Sequence, residues 1–139
     1  MSAEENKAAL DTAVQAWNKG DGEAFLALHD PSIRHHGLGP EPLDHAGNRA
    51  FYEAFWAAFP GSQLTIDDVV AEGDRLAARF HIEGEHKGDF MGVPATGRPF
   101  VLHGHTTMQF SGGRVLERWT TADRLGLLTQ LGVIPPPGA

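Results

Sequence analysis

The chain has 139 residues, of which 41% are hydrophobic and 21% are charged. Those values fit one globular domain over residues 1–139 and exclude a disordered chain. The net charge of −7 argues against nucleic acid and anionic membranes as partners, and the absence of cysteine excludes disulfides, a thiolate nucleophile and a cysteine metal site.

The first third of the chain has helical periodicity. Ser2 and Glu5 have the spacing of a capping box, and the apolar positions that follow predict a helix over residues 2–18. Asp21 can cap a short second helix over residues 23–28. A third helix is expected over residues 46–59, with its phenylalanines on one stripe.

The period then changes to two, which predicts strands. The predicted strands span residues 62–71, 75–86, 99–110 and 114–122, with a short extended piece at 32–36 and a final helix at 123–131. Helices followed by a meander of strands predict an α+β fold, in which a curved antiparallel sheet wraps around the N-terminal helices. The open end of such a cone is a common place for a ligand pocket.

The targeting signals of membrane and exported proteins are missing from the sequence. The start, MSAEENKAAL, lacks the basic residues and apolar stretch of a signal peptide, and no apolar run approaches about 20 residues. We therefore expect a cytoplasmic protein.

Several motifs resemble the SnoaL-like polyketide cyclases, a family of the NTF2-like cone-shaped α+β barrels. The resemblance covers nearly the whole chain, and two parts are the most specific: the loop G-x-F-x-G-x-P-x-T-G-R and the ending W-x-x-x-D. The motifs are AWNKGD (16–21), PSIRHHG (31–37), AFPGS (58–62), VVAEGDRLAARF (69–80), GEHKGDFMGVPATGR (84–98) and GRVLERWTTAD (113–123) followed by LLTQLG (127–132).

The resemblance implies an intramolecular aldol ring closure of a polyketide ester by acid/base catalysis, without metal or organic cofactor. The catalytic aspartate of the family falls on Asp123, and a histidine of the family falls near His36. In a largely apolar pocket, a carboxyl group can perform the required proton transfers. Trp119, which shares the face of Asp123, would supply an apolar wall.

Asp123 also fits a second role, as the N-cap of the final helix. Helix N–H groups stabilise the ionised form of a carboxylate and would make it a weaker base. Both roles stay open from the sequence.

Five histidines, at three places in the sequence, are either candidate site residues or are excluded as such. His35 and His36 are adjacent and face opposite ways in a strand, so one of them at most lines a cavity, and the resemblance favours His36. His86 has inward parity just before the glycine-rich loop and is the third catalytic candidate. His103 and His105 form H-x-H opposite an apolar face, so we expect an outward strand surface there and no metal site.

Five large side chains are the candidates for contact with a hydrophobic ligand: Trp17, Phe55, Phe90, Met91 and Trp119. Trp17 and Phe55 also fit an ordinary core. Phe90 and Met91 lie in a glycine-flanked loop without periodicity, which indicates a mobile lid or a subunit contact.

Other functions remain compatible with this sequence. The same scaffold could support an isomerase, a dehydratase or a hydrolase, or a protein that binds a small hydrophobic molecule without catalysis. The outward faces of the long strands predict a homodimer through the sheet.

Overall fold

The structure, a computed structural model, describes residues 2–136 and residue 138. Its elements are α1 (Ala3–Asn18), α2 (Gly22–Leu26), β1 (His29–His36), α3 (His45–Ala58), β2 (Gln63–Glu72), β3 (Arg75–Glu85), β4 (Pro99–Ser111), β5 (Arg114–Ala122) and α4 (Arg124–Gln130). The predicted elements are all present, and their ends differ from the expected ones by a few residues.

The helix starts follow the predicted side-chain chemistry. The Glu5 N–H donates to Ser2 Oγ, and the Ser2 N–H donates to Glu5 Oε1, both at 3.1 Å. This reciprocal pair confirms the capping box. Asp21 caps α2 by accepting the Ala24 N–H at 3.1 Å. Asp44 does the same for α3 and accepts the Gly47 N–H at 2.8 Å.

The five strands form one sheet in the order β1-β5-β4-β3-β2. The pairs β2–β3, β3–β4 and β4–β5 are antiparallel, as the hairpin turns between them require. At the edge, β1 pairs with β5 in parallel, which differs from the expected all-antiparallel sheet. A parallel pair needs a long connection, here most of the chain, so no local turn signal marks it in the sequence.

The core lies between the inner face of the sheet and the helices. Alternate residues of β3 and β4 are buried, as their period of two predicts. They pack against buried side chains of α1 and α3. The buried apolar set includes Leu10, Trp17, Phe55, Phe59, Leu76, Phe80, Ile82, Phe100, Leu102, Met108 and Phe110. The predicted α+β architecture is confirmed.

A β-bulge in β5 decides which side chains face inward. Gln109 pairs with Glu117, whereas Phe110 pairs with Val115, so Leu116 is the extra residue on β5. An extra residue reverses the alternation beyond it. As a result Arg118 lies on the buried side together with Val115, although their positions differ by an odd number.

The longest helix, α1, has 16 residues. A bilayer span takes about 20. Within residues 2–136, no helix has the length and apolar character needed to cross a membrane.

Candidate functional site

A pocket opens between the inner face of the sheet and the helices α1 and α3. It contains about 80 Å³ that the centre of a water molecule can occupy. Its walls are mainly apolar and aromatic, which is typical of a site for a hydrophobic small molecule. The apolar and aromatic lining consists of Leu10, Trp17, Phe25, Leu38, Phe51, Tyr52, Phe55, Leu64, Ile66, Phe80, Ile82, Phe90, Met91, Leu102, Ala122 and Leu127.

Residues 86–98, which we call the lid loop, contribute Phe90 and Met91 to the lining of this pocket. The base of the loop is held by two backbone hydrogen bonds, from His86 N to Arg98 O at 2.9 Å and from Gly97 N to His86 O at 2.8 Å. At the tip, Phe90 and Val93 exchange two backbone bonds of 2.9 and 2.8 Å. The loop is therefore a small hairpin, not an unstructured segment.

The lid loop contacts α3 through Gly88 and Phe90. Backbone N–H groups of Lys87 and Gly88 donate to Ala58 O, and a Cβ at Gly88 would lie 2.5 Å from the Ala57 carbonyl oxygen. Only glycine permits this approach. The Phe90 ring lies 5.0 Å from that of Phe59 and closes one side of the pocket.

Met91 occupies the tip of the lid loop. Its side chain is 69% exposed and also lines the pocket. Its φ of 49° is the one positive value on a residue other than glycine in the described chain. Left-handed backbone at a bulky residue is uncommon and is found mostly where function demands it. Phe90 and Met91 are thus both in position to contact a bound molecule.

Trp17 and Phe55 form the helical wall of the pocket. Trp17 Nε1 donates to Ser62 O at 3.1 Å, so its polar atom is satisfied and its ring presents apolar surface. The rings of Trp17 and Phe55 lie 5.7 Å apart, and both line the pocket. They are core residues and lining residues at once.

One wall of the pocket is polar. Arg118 Nε donates to Thr106 Oγ1 at 2.9 Å, Thr106 and Thr120 hydroxyls are 3.1 Å apart, and Thr120 Oγ1 is 2.7 Å from His35 Nε2. His35 Nδ1 lies 2.9 Å from Asn48 Oδ1. This polar row connects β5, β4, β1 and α3.

The donor and acceptor of each hydrogen bond in the polar row can be assigned by starting from Asn48 and Arg118, the two ends of the row. His35 Nδ1–H donates to the Asn48 amide oxygen, so Nε2 is left to accept from the Thr120 hydroxyl. Thr120 in turn accepts from Thr106, which accepts from Arg118. Each hydroxyl then has one donor and one acceptor role, and the row has one consistent direction.

His29 joins the other side of Arg118. Its Nδ1 is 3.3 Å from Leu26 O, and its Nε2 is 2.9 Å from Arg118 Nη1. Burial, reinforced by the positive charge of Arg118, lowers the pKa of His35 to about 3 and that of His29 well below its usual value. Both imidazoles are neutral at pH 7. Burial also raises the pKa of Tyr52, which therefore stays a neutral phenol.

Asp123 is exposed at the start of α4, and its Oδ1 accepts the Gly126 N–H at 2.8 Å. The helix-cap role is thus observed. Asp123 does not line the pocket, but its two chain neighbours, Ala122 and Arg124, do. Asp123 is therefore next to the pocket lining along the chain, and the catalytic role of its carboxylate stays a prediction.

His36 and Trp119 lie on the outer face of the sheet. Their rings stack 5.4 Å apart with an interplanar angle of 8°, and His36 Nε2 is 2.7 Å from Glu117 Oε2. Neither lines the pocket. The expectation that His36 and Trp119 face the cavity is therefore corrected: strand alternation turns His35 inward and His36 outward, and the bulge at Leu116 turns Trp119 outward.

His86 is fully buried, as its parity predicts, but it holds the lid loop instead of lining the pocket. Its Nδ1 accepts the Thr96 N–H at 3.2 Å and lies 3.0 Å from Thr96 Oγ1. Its Nε2 has no hydrogen-bond partner among the described residues. The contacts of His86 indicate a positioning role.

Sequence reasoning did not identify the polar row. His29 and His35 share strand parity, and Thr106 has the same inward parity as Leu102, so these could have been grouped by counting along the strands. Arg118 could not, because the bulge that turns it inward depends on pairing with β4.

The outer face carries one group of side chains with metal-ligand chemistry. Within residues 2–136 and 138, the ligand atoms of Asp67, His81 and His103 lie within 4.8 Å of one another. His103 is outward, as predicted, and His81 Nδ1 is 2.8 Å from Asp67 Oδ2. The His81 hydrogen bond lowers the pKa of Asp67. The sheet separates this group from the pocket.

Comparison with known proteins finds relatives whose sequences match most of this chain. The family model described as SnoaL-like polyketide cyclase matches residues 7–131. The chain is 29% identical over 129 residues to the aklanonic acid methyl ester cyclase DauD of Streptomyces sp. strain C5. The aligned region covers 86% of this chain and 76% of DauD. It is 28% identical over 130 residues to DnrD of Streptomyces peucetius, with the same description, covering 86% of this chain and 85% of DnrD.

Two crystal structures are similar to this chain over more than nine-tenths of its length. AclR of Streptomyces galilaeus, provisionally assigned as a hydroxylase, matches 96% of this chain and 100% of its own at 33% identity and a TM-score of 0.88. IdmH of Streptomyces antibioticus, provisionally assigned as a polyketide cyclase, matches 92% and 99% at 33% identity and a TM-score of 0.78. With the family model matched over residues 7–131, this chain belongs to the SnoaL-like polyketide cyclase family.

Proposed function

We propose that this protein closes a ring in a hydrophobic polyketide-type carbonyl compound by an intramolecular aldol reaction. The observation that carries the proposal is the apolar pocket under the lid loop, with one polar row along its wall. The family and the two cyclase relatives support the same reaction class. The reaction is redox-neutral and its product has the mass of the substrate, so the proposal needs no cofactor.

In this reaction a base removes a proton from carbon beside a carbonyl, the resulting enolate attacks a second carbonyl, and the alkoxide that forms takes up a proton. We assign the proton transfers to the Asp123 carboxylate. Its position between Ala122 and Arg124, which both line the pocket, supports this assignment. His86 has an indirect role in this proposal, by holding the lid loop, and His36, which contacts Glu117 on the outer face, has no role in the proton transfers.

The test distinguishes the helix-cap role of Asp123 from its proposed catalytic role. Asn and Ser both cap helices well and lack a carboxylate, whereas Ala lacks both the capping atom and the carboxylate. With aklanonic acid methyl ester as the trial substrate, ring closure is followed by chromatography at constant mass. We expect D123N and D123S to keep the wild-type melting temperature and to lose about 100-fold or more in kcat/KM. Full activity in D123N would show that Asp123 is only a cap.

A second reaction has one specific observation in its favour. The similarity to AclR extends over all of that chain, and AclR is provisionally assigned as a hydroxylase. Hydroxylation adds one oxygen atom, so its product differs in mass from the substrate while an aldol product does not. Assays with and without oxygen, read by mass spectrometry, distinguish the two reactions. Tight binding of substrate without any product would favour a carrier or binding protein.

We also propose that the protein forms a homodimer through the outer face of the sheet. This face presents the Trp119–His36 stack and the half-exposed Val101 on long, regular strands. Light scattering after size exclusion should give twice the chain mass for the wild type. Val101→Glu should give monomer, while Val133→Glu, at an exposed residue that follows α4 and is not part of the sheet, should not. A monomeric wild type would contradict the proposal.

A further inference from the structure

Arg118 is a buried cation without a counter-ion. Its side chain lies on the inner face of β5 and the residue is 7% exposed. Among residues 2–136 and 138, no carboxylate forms an ion pair with it; the polar partners of its guanidinium are the Thr106 hydroxyl and His29 Nε2. An unpaired charge in a protein interior is costly to maintain, so its presence calls for an explanation.

The surroundings of Arg118 leave its charge uncompensated. The nearest titratable groups are His29, His35 and Tyr52, and burial holds all three neutral at pH 7. No Asp or Glu is among the described residues that line the pocket, although the chain has 18 acidic residues against 11 basic ones. The pocket is therefore a positive site inside an acidic protein.

The guanidinium also has free donor capacity toward the pocket. Arg118 lines the pocket, and Nη2 donates to no described residue, whereas Nε and Nη1 are held by Thr106 and His29. Two fixed donors orient the group, and Nη2 is left without a partner among the described residues in a side chain that lines the pocket. A planar guanidinium in this state suits an oxygen anion.

Provided that the pocket is the substrate site of the proposed function, we propose that it recognises its substrate through an anionic oxygen bound by Arg118. The ligand class is a flat hydrophobic carbonyl compound that carries either a carboxylate or an enolate or phenolate oxygen. The apolar walls bind the ring system, and Arg118 binds the oxygen at the polar wall. In ring closure, the same contact would favour the enolate over the neutral carbonyl compound.

The first measurement uses 2-hydroxyanthraquinone, whose absorption spectrum changes when its hydroxyl group ionises. Bound to the wild-type protein, its hydroxyl pKa should fall by about one unit or more, since a cation at hydrogen-bond distance has an effect of that size on an acid. Arg118→Met should abolish the shift, and Arg118→Lys should retain part of it. Arg114→Met, an exposed arginine on the same strand, is the charge-matched control and should behave as wild type.

The second measurement compares anthraquinone-2-carboxylate with its methyl ester. If the substrate anion is a carboxylate, the wild type should bind the acid about tenfold or more tightly than the ester, and Arg118→Met should reverse the order. If it is an enolate, the hydroxyl pKa should shift without a preference for the carboxylate. Either result supports the anion site and identifies its source.

A purely structural Arg118 gives different results. It would leave the hydroxyl pKa and the acid-to-ester ratio unchanged in Arg118→Met, while the melting temperature of the empty protein would fall. The anion site predicts that Arg118→Met abolishes the pKa shift; the melting temperature does not distinguish the two cases, because the substitution removes the hydrogen bonds to Thr106 and His29 in both. Failure of all three probes to bind the wild type would also overturn the inference.

The two proposals fail independently. If the protein cyclises no substrate but lowers the hydroxyl pKa through Arg118, the proposed reaction is wrong and the anion site stands. If ring closure occurs and Arg118→Met changes neither the reaction nor the bound hydroxyl pKa, the anion site is wrong and the reaction stands.

Discussion

Thr120 Oγ1 lies 2.7 Å from His35 Nε2, and this contact joins residues 85 positions apart across the parallel pair of β1 and β5. With Asn48 on Nδ1, both nitrogens of the imidazole are occupied by neutral partners. A second proton on His35 would occupy Nε2 and displace the hydroxyl proton that Thr120 donates to it. The polar row thus depends on a neutral histidine.

This dependence predicts that the protein loses stability as the pH falls. The pKa of His35 is about 3 and that of His29 is well below 6.5, while both have about 6.5 in the unfolded chain. Between these values the unfolded state binds more protons, so the free energy of unfolding decreases as the pH falls from 6.5 towards 3. Each histidine contributes a slope of up to about 1.4 kcal/mol per pH unit. Urea unfolding from pH 7.5 to 4.5 measures it.

A matched pair of variants tests the assignment of this slope. His35→Gln can keep polar partners but does not titrate, so it should flatten the pH dependence by about one proton. His103→Gln, at an exposed histidine of the outer face, should leave the slope unchanged. Equal slopes in wild type and His35→Gln would contradict the neutral-histidine interpretation, and His29→Gln provides a second reading if His35→Gln does not fold.

Phe90→Ala should weaken ligand binding more than it weakens the fold. The ring is half-buried, contacts Phe55 and Phe59 at 5.9 and 5.0 Å, and lines the pocket. Losing its apolar contact with a ligand should raise KM, or the Kd for 2-hydroxyanthraquinone, by about tenfold. Val93→Ala, across the same hairpin and outside the pocket lining, is the control and should bind normally. Equal effects of the two substitutions would argue against a lid.

Thr96→Val should loosen the lid loop. The substitution removes the hydroxyl beside His86 Nδ1 and an acceptor of the Arg98 N–H at 3.3 Å, but preserves side-chain shape. We expect a stability loss of about 1 kcal/mol and faster amide hydrogen exchange over residues 88–95. Thr96→Ser restores the hydroxyl and should restore protection. Unchanged exchange in Thr96→Val would show that backbone bonds alone hold the loop.

Chelation of divalent metals should not change the rate of ring closure. The one three-ligand group of the described chain, Asp67, His81 and His103, is on the outer face, across the sheet from the pocket. An ion there cannot touch a molecule in the pocket. Activity with and without EDTA, in wild type and in His103→Gln, measures this. A loss of activity on chelation that zinc restores would contradict the proposed cofactor-free reaction.

Much of the fold followed from local patterns. The capping box of Ser2 and Glu5, the change from helical to strand period, and the glycine-rich loop depend on residues close in sequence, and the structure has these elements where they were expected. The parallel pairing of β1 was not expected, because it joins strands from opposite ends of the chain and leaves no turn between them.

The sequence by itself determined the α+β class, the apolar side of the long strands, and the glycine-flanked loop that carries Phe90 and Met91, because burial follows hydrophobic periodicity and glycine and proline mark loops. Only the tertiary structure decided that His35 rather than His36 faces inward and that Arg118 enters the pocket wall. The physical reason is that an inward or outward position depends on strand register, and one extra residue at Leu116 reverses it for every side chain that follows in β5.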